Sequence, residues 1–95
     1  MTIRLFILFF LIQIASAQEL SVKGKVLFNG QPIEGVSILL KGSNTGTITD
    51  HDGQFELNIT NLKKPKLIFS YIGFKSVTRK IDFGDLNLGV IILEP

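Results

Sequence analysis

The sequence predicts an all-β protein, a β-sandwich of seven short strands, preceded by a signal peptide. Apolar and polar residues alternate with a period of two in several short segments, which is typical of half-buried strands. Clusters of Gly, Asn, Asp and Pro separate these segments and supply turns. No segment after Ala17 shows a helical period. Strands of this length and spacing favour two sheets packed over one core.

Residues 1–17 have the three parts of a signal peptide. Arg4 provides the positive charge, residues 5–14 are almost entirely apolar, and Ala15-Ser16-Ala17 forms a cleavage site of small residues. The apolar run is shorter than the roughly 20 residues that cross a bilayer, so an uncleaved anchor is the weaker interpretation. We therefore expect export, with Gln18 as the first mature residue. The signal segment itself is expected to be a helix that packs poorly against the domain.

Residues 18–95 are predicted to form one domain. Loss of Arg4 lowers the formal net charge of the chain from +2 to +1. Nucleic-acid binding needs a clustered basic face, so it is not expected. The one basic cluster, Lys63-Lys64-Pro65-Lys66, is interpreted as a solvated loop, with contact to an anionic surface as the alternative. The chain has no Cys, which excludes disulfides and a lipidated cysteine, so aliphatic and aromatic packing must close the core.

Four predicted strands lie in the first half of the domain, at residues 20–28, 36–40, 47–49 and 54–60. The valines and lysines of the first strand point to opposite faces, and the second and fourth strands alternate in the same way. Asn29-Gly30 supplies a tight turn after the first strand. Pro32 falls outside any central strand because it lacks a ladder donor. Gly53 ends a turn before the fourth strand and suits a left-handed backbone.

Three further strands are predicted at residues 66–72, 74–81 and 90–93. The first of them has almost no polar face, so we expect it to be buried on both faces. Gly73 is predicted to break or bulge the chain and to let Tyr71 and Phe74 approach closely. The remaining two strands are separated by a polar turn.

No residue is predicted to be catalytic, to hold a cofactor or to bind a metal. His51 is the only His, so neither a multi-His zinc site nor a catalytic triad is expected, and we interpret it as a polar turn residue. The Asp-x-Asp-Gly run at residues 50–53 resembles the start of a calcium loop. Gln54 and Asn61, however, stand where further oxygen ligands are needed. We therefore expect a protein that is not an enzyme.

What remains for function is the surface. The polar face of the fourth strand is interpreted as solvated, with contact to a glycan or a protein as the alternative. The edge strands of an open sandwich have unpaired backbone groups that accept a partner's strand.

Several motifs resemble the carboxypeptidase regulatory-like domain family, in the family's order and spacing over about residues 20–93. The motifs are VKGKV at residues 22–26, PIEGVSI at 32–38, GSNTGTITD at 42–50, DGQF at 52–55 and LIFSYIGF at 67–74. The sequence is most similar to the version found before the plug of TonB-dependent outer-membrane receptors in Gram-negative bacteria.

The resemblance implies a transthyretin-like (prealbumin-like) Greek-key sandwich of seven strands without catalysis. It also implies an accessory module in the periplasm or at the outer membrane or cell surface of a Gram-negative bacterium. The expected partner is an envelope protein such as an outer-membrane receptor. Two alternatives stay open: a carbohydrate-binding module, for which a glycan is the ligand, and a detached N-terminal fragment of a TonB-dependent receptor.

Overall fold

The structure, a computed structural model, describes residues 19–60 and 63–95, and these form an all-β sandwich of eight strands. The strands are β1 Glu19–Phe28, β2 Gln31–Pro32, β3 Ser37–Leu40, β4 Gly46–Ile48, β5 Gln54–Thr60, β6 Lys66–Ser70, β7 Val77–Lys80 and β8 Asn87–Ile92. The predicted fold class is confirmed, and the two-residue β2 is the strand added to the predicted seven. The predicted signal helix lies outside the described residues.

β1 is the centre of the first sheet because it pairs with three other strands. It runs antiparallel to β5 and parallel to β8. At its carboxyl end, Leu27 lies opposite both Pro32 of β2 and Ile92 of β8, so β2 and β8 flank β1 on opposite sides. Asn29 and Gly30 close the β1–β2 hairpin with φ of 53° and 76°, the left-handed pair that a two-residue turn requires.

The second sheet is antiparallel throughout, with the order β4-β3-β6-β7. The chain leaves the first sheet after β2, returns to it for β5, leaves again for β6 and β7, and returns for β8. These crossovers join two layers over one core, as in Greek-key sandwiches. β4 and β7 are the edges of this sheet.

The core lies between the two sheets and is built from alternating positions. Val22 and Val26 of β1 are fully buried, as predicted, and each buried residue of β5 alternates with an exposed one. Phe55 of β5 and Phe69 of β6 meet edge to face across the layers, with ring centroids 5.4 Å apart. The buried apolar residues are Val22, Val26, Val36, Ile38, Leu40, Phe55, Leu57, Ile59, Leu67, Phe69, Ile81, Ile91 and Leu93. Aliphatic and aromatic packing therefore closes this core.

The β6 segment differs from its prediction. The strand ends at Ser70, its buried residues alternate with half-buried ones, and Ile72 is 91% exposed. The N–H of Phe74 donates to the carbonyl of Tyr71 at 3.1 Å, which closes a turn with Ile72 at its tip. The expectation of a strand over residues 66–72 buried on both faces was wrong, because an apolar run does not distinguish a strand from a turn tip.

Gly73 occupies the third position of that turn with φ of 86°, the left-handed conformation of a type II turn. Apart from its two chain neighbours, a Cβ at this position would meet no atom within 4 Å. The rings of Tyr71 and Phe74 do contact each other, with centroids 5.8 Å apart. The positive φ is by itself a sufficient reason for this glycine, and no Tyr71 atom lies within 4 Å of the Cβ position.

Candidate interaction surfaces

Polar side chains cover one half of the outer face of the first sheet. Lys23 lies opposite Glu56 across β1 and β5, and Ser21 lies opposite Asn58. The Ser21 hydroxyl donates to a Glu56 carboxylate oxygen at 2.8 Å. The outward residues of β5 are exposed, as their alternation predicted. Because the side chains of this half are polar or charged, it is well suited to water.

Apolar side chains cover the other half of the same face. Pro32, Leu27 and Ile92 lie side by side across β2, β1 and β8. Val90 faces the same side two residues before Ile92, and the two are 50% and 64% exposed. We call these four residues the outer apolar row. Contiguous exposed apolar groups mark interaction surfaces, whereas isolated ones do not. Sequence reasoning missed this row because its members come from three strands whose register no local pattern reveals.

A shallow groove of 640 Å³ adjoins the outer apolar row. Val90 of β8 lines one part of it, and Lys25 of β1 and Gln54 of β5 form part of its floor. Ile48 of β4, which is 66% exposed, lines the groove as well. The lining of the groove thus combines apolar groups with charged and amide groups. This composition suits the mixed surface of a protein partner.

The outer apolar row ends at a strand edge that is open beside Val90 and Ile92, whereas beyond them the Glu94 carbonyl accepts the Lys75 N–H at 2.8 Å. Among the described strands, β8 pairs with β1 alone. The Leu93 N–H donates to the Leu27 carbonyl at 3.0 Å. In a parallel ladder alternate residues bond to the neighbouring strand, so the backbone groups of Val90 and Ile92 face away from β1. This edge therefore presents both backbone groups and apolar side chains to a partner.

The predicted basic cluster lies at one end of the second sheet. Lys63 and Lys64 are exposed, Pro65 is buried, and Lys66 is half-buried as the first residue of β6. Both interpretations of the cluster, a solvated loop and an anionic contact, depend on which other charges the fold places beside it.

The turn that contains His51 uses its acidic group for its own backbone. One carboxylate oxygen of Asp50 accepts the N–H groups of Asp52 and Gln54, each at 2.9 Å. His51 lies 3.5 Å from the Asp52 carboxylate, and both side chains are largely exposed. The Asp50 carboxylate is thus engaged within an Asx turn. The prediction that no residue here is catalytic stays a prediction.

Aromatic residues matter for the glycan alternative because sugars stack on exposed rings. Within the described ranges, Phe83 is the most exposed of the Phe and Tyr side chains, at 38%. Phe28, Tyr71 and Phe74 form a half-buried cluster, in which the Phe28 and Phe74 rings meet edge to face at 4.9 Å. A flat platform of several exposed rings is therefore not what residues 19–60 and 63–95 present.

The described part of the chain has neither a candidate metal cluster nor a candidate membrane-spanning helix. It contains no group of three or more His, Cys, Asp or Glu side chains placed to hold a metal ion. Nor does it contain a helix with the length and hydropathy that a membrane crossing requires.

Comparison with known proteins gives one family and several related receptors. The CarboxypepD_reg-like domain matches residues 22–94. The TonB-dependent receptor SusC of Bacteroides thetaiotaomicron is 40% identical over 62 residues, which cover 64% of this chain and 6% of the receptor. The TonB-dependent receptor P3 of Formosa agariphila is 35% identical over 79 residues, or 80% of this chain and 8% of the receptor.

The lengths of these matches limit what the receptors imply. The chain spans less than a tenth of the receptors that it matches, including TonB-dependent receptor P26 of Formosa agariphila, of which it covers 6%. In these relatives the similar segment is thus joined to a much longer chain. The family match covers most of the described domain, from Val22 in β1 to Glu94 beyond β8.

Proposed function

Because the chain belongs to the CarboxypepD_reg-like domain family, we propose that it is a non-catalytic accessory module of the Gram-negative envelope that docks onto a protein partner. The observation that carries the proposal is the similarity to TonB-dependent receptors, which makes a receptor of this type the favoured partner. Residues 1–17 export the module, and residues 18–95 form the docking domain.

The outer apolar row is the surface that we assign to this partner. Its four residues bring apolar area and an open strand edge together at β8, next to the mixed groove. A partner chain gains main-chain hydrogen bonds at such an edge and apolar contact beside it. The relatives support a receptor as the occupant, because in them a similar segment shares its chain with the rest of a receptor.

Site-specific photocrosslinking tests this assignment. The full chain is expressed in its native cells with a photoreactive amino acid in place of Ile92, and adducts are identified by mass spectrometry. We expect an adduct with a TonB-dependent receptor. Thr78, exposed on β7 of the second sheet, is the matched control and is expected to give no receptor adduct. Equal receptor adducts from both positions, or none from Ile92, would argue against the assigned surface.

The alternative of a receptor fragment is decided by the neighbouring reading frame. If the frame continues into a plug and barrel, the domain is the N-terminal part of that receptor, and its docking partner lies in the same chain. A crosslink from Ile92 then forms within one polypeptide. A hydrolase activity that disappears in the His51→Ala variant would contradict the non-catalytic role under either alternative.

A further inference from the structure

The fold gathers five lysines at one end of the second sheet. Lys41, Lys66 and Lys80 lie side by side there, because Lys41 directly follows β3, Lys66 begins β6 and Lys80 ends β7. Lys63 and Lys64 come directly before β6 at the same end. We call these five residues the lysine end. The sequence shows only the three lysines of the connection, because Lys41 and Lys80 join them through strand pairing.

Strand pairing fixes the row formed by Lys41, Lys66 and Lys80. The Lys41 N–H donates to the Lys66 carbonyl at 2.9 Å, and Lys66 and Lys80 are directly opposite partners. Neighbouring strands lie about 4.8 Å apart, which is less than the Debye length of about 8 Å at physiological salt. Adjacent lysines of the row are therefore attached to the backbone within one Debye length of each other. Like charges directly opposite each other destabilise a sheet. This row therefore favours a bound anion.

No described acidic side chain forms an ion pair with the lysine end. Within residues 19–60 and 63–95, the one ion pair closer than 4.0 Å joins His51 and Asp52, far along the chain. Asp82 is the acidic residue nearest to Lys80 in sequence. One of its carboxylate oxygens accepts the N–H of Gly84 at 2.9 Å, within its own turn. This hydrogen bond leaves the Asp82 carboxylate charged, so five lysines against one neighbouring acid give this end a net positive charge that is open to solvent or to a ligand.

A cleft at the lysine end shows where an anion fits. Lys64, Lys66 and Lys80 line a cavity of 430 Å³ together with Pro65 and Ile81. The Ile81 N–H donates to the Pro65 carbonyl at 3.0 Å, which holds the two apolar residues together as a floor. Lys64 has φ of 53°, a left-handed conformation that is uncommon for lysine. Such backbone outliers cluster at functional sites, which motivates a functional reading of this one.

Exposed apolar side chains adjoin the lysines on the same outer face. Leu39 and Ile68 are opposite partners, each two residues along its strand from a lysine of the row. Leu39 is 39% exposed and Ile68 is half-buried. A basic rim beside exposed apolar groups is the composition of surfaces that rest on lipid headgroups.

We infer that the lysine end binds the phosphate-bearing headgroups of an anionic lipid surface. Lysine is a point-charge ligand for phosphate, and three lysines converge on one cleft. Five lysines spread over three strand ends are more than one free phosphate requires. They match an array of phosphates, with Leu39 and Ile68 beside the headgroups. This surface is independent of the outer apolar row, which lies on the other sheet.

Vesicle co-sedimentation of the chain, expressed in full and purified as the cell yields it, tests the inference. We expect binding to phosphatidylcholine vesicles that contain 30% phosphatidylglycerol, weakening as salt is raised, and little binding to phosphatidylcholine alone. The variant Lys64→Gln/Lys66→Gln/Lys80→Gln is expected to bind on the order of 100-fold more weakly, since each lysine at an anionic surface contributes roughly fivefold. Thermal unfolding checks that the variant folds, and Lys64→Gln alone replaces it if it does not.

The matched control is Lys23→Gln/Lys25→Gln/Lys75→Gln. This variant loses the same number of positive charges, but at positions outside the lysine end, and it is expected to bind the vesicles almost as tightly as the parent chain does. Equal losses in the two triple variants would overturn the inference, because net charge alone would then explain binding. Release of the chain from the vesicles by inorganic phosphate, at a concentration equal to that of the lipid phosphate, would overturn the inference in favour of a free anion. Equally tight binding of polyglutamate would overturn it in favour of an acidic protein.

Discussion

Two glycines of this chain share a left-handed backbone but have different surroundings. Gly30, in the β1–β2 turn, has φ of 76°, and a Cβ there would meet no atom within 4 Å. Gly53 has φ of 74°, and its Cβ would lie 2.6 Å from the Val26 carbonyl oxygen and 3.0 Å from Pro32. The sequence predicted the left-handed turn at Gly53. It did not predict the close approach to β1, which depends on tertiary packing.

The comparison between these glycines yields a stability prediction. Gly30→Ala is expected to lower the free energy of unfolding by roughly 1–2 kcal/mol, the cost of placing a Cβ in a left-handed residue. Gly53→Ala is expected to cost about 2 kcal/mol more, because the backbone of β1 must also shift. Urea unfolding of both variants measures the difference. Equal losses would mean that the turn moves away from β1 without cost.

Thr49 is a buried polar residue that sequence reasoning did not single out. Its side chain is 1% exposed. The Thr49 hydroxyl donates to the Ile33 carbonyl at 2.6 Å and accepts the Val36 N–H at 2.9 Å. It therefore ties the entry of β3 to the end of β4. Nothing in the local pattern distinguishes it from Thr47, since both look like residues of a short strand.

Thr49→Val keeps the shape of this side chain and removes both hydrogen bonds. We expect the free energy of unfolding to fall by roughly 2 kcal/mol, because the Ile33 carbonyl and the Val36 N–H lose their partner in a buried place. Thr49→Ser is the matched control and keeps the hydroxyl, so a smaller loss is expected. Chemical denaturation of the parent chain and the two variants measures these differences in the free energy of unfolding. A valine variant as stable as the parent chain would show that water replaces the hydroxyl.

At the scale of elements, the alternation of apolar and polar residues predicted most strands, but the position of each strand in its sheet depends on which strands pair. The inward residues of β1 and β5 followed directly from their period of two. The strand predicted over residues 66–72 was too long, because the apolar run continues into the turn that follows the strand. Ile72, in that turn, is exposed. The parallel pairing of β1 with β8 joins residues more than 60 positions apart. No local signal encodes such a partner.

Pairing also predicts how stability is distributed among the elements. β1 is paired on both sides and carries buried valines, whereas β7 is an edge strand with three of its four residues exposed. We expect the hydrogen-bonded amides of β7 to exchange with solvent at least about tenfold faster than those of β1, because local opening of β7 breaks fewer contacts. Native-state hydrogen exchange measures both strands. Equal protection would indicate that the sandwich opens only as a whole.

At the scale of the molecule, the sequence was sufficient for the fold class and insufficient for the surfaces. The core could be predicted because burial imposes a local period on each strand. The outer apolar row and the lysine end could not, since each is assembled from three strands and depends on their register. Surfaces carry no comparable period, because exposed positions tolerate both polar and apolar residues.

The boundary between export signal and domain is the last prediction at this scale. β1 begins at Glu19, which pairs with Thr60 of β5, so cleavage after Ala17 leaves every described residue of the sheet in the mature chain. We expect the chain recovered from the envelope fraction to begin at Gln18, as measured by intact mass.

Ala17→Arg is expected to block processing, because signal cleavage requires a small residue at that position, whereas Ala17→Ser is expected to leave it intact. The two variants differ only before β1, so the stability of the fold is expected to be the same in both. A chain that begins beyond Glu19 would have lost part of its central strand. Full-length parent protein in the envelope fraction would instead identify residues 1–17 as a retained anchor.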